Sequence, residues 1–149
     1  MVWFLVFMDK KIILVIAIVI IAISTISCVS AIGSPDDLHS SNSIDVKNGK
    51  LIDTAHNDKE IGTVTPLNTS SEGEDLINSY DSEAIKKYVS DDPLVIQYDV
   101  MDKTDTSHDG IYFMFAHNGD IFLAFVPTEN MNGMLKRMTN FCKDNGVLK

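Results

Sequence analysis

Residues 12–32 carry no charged side chain, and residues 12–23 are apolar on every side. A helix through this run would rise about 1.5 Å per residue and reach about 30 Å, the depth of a bilayer's hydrocarbon core. A helix packed on a water-soluble core keeps a polar stripe, which this run lacks. Lys10 and Lys11 stand before it and Asp36 and Asp37 after it, so the positive-inside bias holds the N-terminus in the cytoplasm and sends the remainder outward. The sequence therefore predicts a cytoplasmic n-region over 1–11 and a transmembrane anchor or signal peptide over 12–32. Behind it lies an extracytoplasmic body, membrane-anchored if the leader stays and secreted if it is cleaved.

The second half of the leader is compatible with three fates. Val29 and Ala31 stand where signal peptidase takes small residues, which suits cleavage. Cys28 follows Ser27 as a lipidated cysteine would, although Thr25 occupies the place where Leu is usual. Retention as an anchor is the third. Met8, followed by Asp9, Lys10 and Lys11, makes a more ordinary start than Met1. Cys28 and Cys142 are the only cysteines, so no disulfide framework holds the body together. Cys142 reads as a small buried hydrophobe.

The net charge is -9, and the leader contributes more base than acid, so the body is more acidic still. Nucleic acid is excluded as a partner, since phosphate binding needs clustered Lys and Arg. The only adjacent basic pairs in the body are Lys86 with Lys87 and Lys136 with Arg137.

Residues 33–43 are rich in Ser, Asp and Asn and read as a flexible stalk; residues 44–149 form the domain. Asn48-Gly49 between short apolar stretches predicts a hairpin turn. A short strand follows at 61–65 and a loop at 66–73, where Asn68-Thr69-Ser70 matches a glycosylation sequon. Ser71 and Glu74 have capping-box spacing, and Ile77, Tyr80, Ala84, Ile85 and Tyr88 recur at three and four, which predicts one helix ended by Asp91, Asp92 and Pro93. Leu94, Ile96, Tyr98 and Val100 alternate as a half-buried strand does.

The plainest local signal is His117-Asn118-Gly119-Asp120 between two apolar runs, a type I′ hairpin. Its register sets His117 against Asp120, Phe115 against Phe122, Phe113 against Ala124 and Ile111 against Val126. Both faces are apolar, so both need cover. Met131, Met134, Leu135, Met138, Phe141 and Cys142 form one stripe of a last helix, stopped by Asn145 and Gly146. The predicted fold is α+β: a small antiparallel sheet with two packed helices behind the N-terminal membrane helix or signal segment.

Chemistry has few footholds. His117 and Asp120 face one another as two ligands of a metal would. Asp102, Asp105 and Asp109, with Asp99 and His108 close by, supply the hard oxygen donors that calcium takes, although their spacing matches no EF-hand. No nucleophile elbow, phosphate loop or dinucleotide fingerprint is present, so no cofactor is implied. The expected function is a noncatalytic binding or interaction module at the cell surface. The alternatives are a small extracytoplasmic metal-dependent hydrolase built on His108, His117 and the aspartates, and an accessory subunit of a membrane complex. Expected partners are the membrane through 12–32, and a protein or a second copy through the apolar hairpin face.

Overall fold

Asn48 and Gly49 have φ of 52° and 72°, the left-handed pair that reverses a two-residue hairpin. They join β1 (Ile44–Lys47) to β2 (Lys50–Asp53), and a longer turn leads to β3 (Lys59–Leu67). The computed structural model describes residues 32–80 and 82–146. Helix α1 (Ser70–Ser79) then precedes four strands in a meander: β4 (Ser82–Asp91), β5 (Leu94–Asp102), β6 (Gly110–His117) and β7 (Asp120–Pro127). Helix α2 (Leu135–Asn145) follows. All seven strands make one antiparallel sheet in the order β1-β2-β3-β7-β6-β5-β4.

This order places β3 beside β7 and leaves β4 at the far edge. The connection from β3 to β4 must therefore cross β7, β6 and β5, and α1 lies within it. Thr69 caps α1 by accepting from the Glu72 N–H at 3.2 Å, which satisfies one of the orphan amides of the first turn. Ile77 of α1 packs with Leu67, Ile96, Tyr98, Tyr112, Met114 and Leu123 on one sheet face. On the other face, Met138, Phe141 and Cys142 of α2, with Met134 ahead of it, pack on Val95, Phe113, Phe115, Phe122, Ala124 and Val126.

The β6–β7 hairpin has the register its sequence predicts, from His117↔Asp120 to Ile111↔Val126. Its two apolar faces are each covered from within the chain, one by α1 and the other by α2. The expected docking surface on this hairpin is thus core: Phe113 and Ala124 are fully buried, and Met114 and Leu123 nearly so.

Several expectations need correction. The α+β fold with a small sheet gives way to a seven-stranded sheet that dominates the molecule. The helix expected through Tyr88 is two elements. It ends at Ser79, whose Oγ donates to the Leu76 carbonyl at 2.6 Å, a local bond that competes with helical pairing. Residues 82–91 are then drawn into pairing along the whole of β5, from Ser82↔Asp102 to Asp91↔Leu94. Their three-and-four spacing had no buried face behind it, since residues 83–88 are all exposed.

The loop expected at 66–73 begins later, because β3 runs through Pro66 to Leu67. β2 pairs with β3 only as far as Thr63, so the ring of Pro66, with no N–H to give, meets no ladder on that side. The stalk expected at 33–43 packs on the domain. Leu38 enters the core, and Asn145 clamps His39 by accepting its N–H at 2.7 Å and donating to its carbonyl at 2.9 Å. The transmembrane and signal-anchor readings are also without structural support: among the described residues no helix is long and apolar enough to cross a membrane. The segment on which that expectation rested, 12–32, lies outside the described residues apart from Ile32.

Candidate functional site

His117 ends β6 and is buried, yet its ring does not turn to Asp120, its partner across the hairpin. Nδ1 lies 2.6 Å from the carbonyl oxygen of Asn145 in the last turn of α2 and donates to it. Nε2 lies 3.1 Å from Nδ2 of Asn118 and accepts from it. Both ring nitrogens are therefore occupied, and the histidine ties the hairpin to the C-terminal end of a helix, whose orphan carbonyls seek donors.

The aspartates of the other candidate set lie at the opposite end of β6, beyond Gly110. Seven residue steps along the strand set the two ends about 23 Å apart. Within that loop Asp102 Oδ1 accepts from the Thr104 N–H at 2.8 Å, its hydroxyl at 3.0 Å and the Asp105 N–H at 3.1 Å. Asp102 Oδ2 lies 3.1 Å from His108 Nδ1, and Asp109 accepts from the Asp102 N–H at 2.5 Å. The bonds to its own oxygens, led by that from the Thr104 amide, hold the Asp102 carboxyl well below the usual carboxylate range. The His108 ring stacks on Tyr80 with centroids 4.0 Å apart. The carboxylates thus spend their lone pairs on their own loop. Among the described residues no group of three His, Cys, Asp or Glu side chains is disposed to hold a metal ion. Asp102, Asp105 and His108 are brought together with Asp109, while His117 and Asp120 are not.

A third cluster was missed from sequence. Asp53, at the end of β2 and 2% exposed, takes a forked pair of bonds from Arg137 of α2, at 3.0 Å to Oδ2 and 2.6 Å to Oδ1. Arg137 also donates to the carbonyls of Asn42 and Ser43 at 3.0 and 2.9 Å. His56 Nδ1 lies 2.7 Å from Asp53 Oδ2. The Arg137 guanidinium first, and His56 after it, hold the Asp53 carboxyl well below its ordinary value. The only hint in the sequence was that Arg137 is the chain's sole arginine, the residue suited to a forked buried pair. A concavity of about 420 Å³ opens beside this cluster. It resembles a base with its orienting acid, but among the described residues no Ser, Thr or Cys lines it, and Asp53 is already neutralised by Arg137. The cluster ties α2 to β2 and to the residues before β1.

The fourth feature is the β4 edge, hidden from the sequence by its helical spacing. Among the described residues no further strand pairs with its outer side. Every residue from 83 to 88 is exposed, and Ile85 and Tyr88 are 58% and 63% exposed. Met101 on neighbouring β5, paired with Glu83, is 71% exposed. Lys86 bonds Glu74 of α1 at 2.6 Å, and the Tyr98 hydroxyl donates to the same carboxylate at 2.9 Å, so α1 braces the edge from one face. The Glu74 carboxyl is held low, chiefly by Lys86. The other sheet edge differs: β1 is short, its Ile44 and Val46 are buried, and Asp36 accepts the Asn48 N–H at 2.8 Å from a turn at Pro35–Asp37.

No family model matches the chain, and comparison with curated proteins and with solved structures gives no match.

Proposed function

We propose that this domain is a noncatalytic interaction module that works through the open edge of β4, taking a protein segment in extended conformation as an added strand. The observation that carries the reading is a long edge strand whose residues 83–88 are all exposed. An edge strand presents a row of unpaired N–H and C=O groups, which folded proteins ordinarily blunt or cover. Main-chain pairing supplies affinity in this mode, and alternate side chains supply selectivity. Here Ile85 and Met101 offer an apolar contact on one face, and Tyr88 with the aliphatic part of Lys86 on the other.

Two further features support it. The edge is held rigid from behind by pairing with all of β5 and by the Glu74–Lys86–Tyr98 group. The titratable clusters elsewhere are each consumed by bonds that hold neighbouring elements together.

The test is selection of a random peptide library on the immobilised full chain, followed by hydrogen exchange with the selected peptides bound. The expected footprint is slowed exchange over 82–91, and Ile85→Asp weakens those peptides. A footprint on the Asp53 concavity, or binding indifferent to Ile85→Asp, contradicts the proposal.

A further inference from the structure

We infer that the occupant of the β4 edge is a second copy of this chain, paired antiparallel about a two-fold axis at Ile85, so that two sheets join into one. The inference rests on the reading of β4 as the binding edge and names its partner.

The register follows from geometry and charge. When two identical edges extend one sheet, side chains directly opposite must share a face, so the axis passes through a residue and not between two. An axis at Lys86 sets that lysine against its own copy, and an axis at Lys87 does the same for Lys87. Like charges directly opposite are unfavourable. At Ala84 the axis sets Glu83 against Ile85. At Ile85 it sets Ile85 on Ile85 and Glu83 against Lys87 of the second copy, twice over.

The surrounding charges agree with that choice. Lys87 already bonds Asp99, and Glu83 lies 3.4 Å from Lys103. Across the seam the row would run Lys103, Glu83, then Lys87 and Asp99 of the second copy, alternating in sign throughout. Strand shape points to the same centre. The pairing of β4 with β5 shifts register between Tyr88 and Ser90, and a bulge there bends the strand. The straight stretch is therefore 82–88, whose midpoint is Ile85. The join would also cover Ile85 and Met101, which share one sheet face and are 58% and 71% exposed.

Cysteine pairing in the full chain, in a Cys28→Ser background, tests partner and register together. Residues directly opposite on antiparallel strands lie about 4.5–5.5 Å apart at Cα, within disulfide reach. On mild oxidation Ile85→Cys should crosslink to itself. Lys87→Cys alone should not, and a mixture of Glu83→Cys and Lys87→Cys chains should. Glu83→Lys or Lys87→Glu should each weaken self-association about tenfold, and the double exchange should recover most of it. Self-crosslinking through Lys87→Cys but not Ile85→Cys overturns the register. A monomer whose β4 still takes library peptides removes the second copy and leaves the edge reading standing; a monomer whose β4 takes none removes both.

Discussion

Asp53 and Arg137 are 84 positions apart in the chain, and no local pattern announces that they meet. The pair is half of a non-local tie, and its consequence belongs to single residues. Arg137→Met leaves the Asp53 carboxylate buried without its cation, and breaking such a pair costs about 3 kcal/mol. Asp53→Asn should also destabilise at neutral pH, with a distinctive acid limb. The carboxyl is depressed in the folded state, so its stabilising contribution is present above the unfolded value of about 3.9 and is lost as pH falls through and below it. Thermal unfolding measured from pH 7 to pH 2 should therefore show the gap between parent and Asp53→Asn closing toward acid. A gap that stays constant contradicts the assignment. His117 teaches the complementary lesson. Its place opposite Asp120 was legible, but the partner its ring chose, the Asn145 carbonyl, is set by where α2 ends.

Among the elements, what could be read was what carried its own punctuation. The β6–β7 hairpin has a turn dipeptide in the left-handed region, Asn118 at φ 52° and Gly119 at 90°, between two runs whose apolar residues leave one register. The β4 strand had no such signal. An exposed edge shows no alternation of burial, so the helical spacing of Ala84, Ile85 and Tyr88 went uncontested until pairing with β5 decided the matter. Strand β3 carries a further constraint that only the folded chain exposes. It sits between β2 and β7, and a Cβ on Gly62 would overlap the Phe125 carbonyl oxygen of β7. Since that oxygen belongs to backbone held in the sheet, Gly62→Ala should lower stability by about 3 kcal/mol or more, a size reserved for changes that force strain on a packed interior. Denaturant unfolding checks it, and a loss below about 1 kcal/mol would show that β3 and β7 lie further apart than described.

At the scale of the described domain, a helix covers each sheet face, and among the described residues β4 is the long edge left open, while β1 is short and lies against the turn at Pro35–Asp37. The apolar faces of the central hairpin were legible as surfaces needing cover, but which elements supplied it depended on the crossing of α1 and the return of α2. That division buries the hairpin faces, where sequence placed an interaction surface, and the edge is the surface proposed in their stead. An open edge at this place requires residues 82–91 to be a strand at the sheet margin. Backbone nuclear magnetic resonance of the full chain tests this most directly, through contacts between α-protons. The register predicts cross-strand proximity of Ala84 with Val100 and of Lys86 with Tyr98; contacts between residues three apart along 82–88, the mark of a helix, would contradict it.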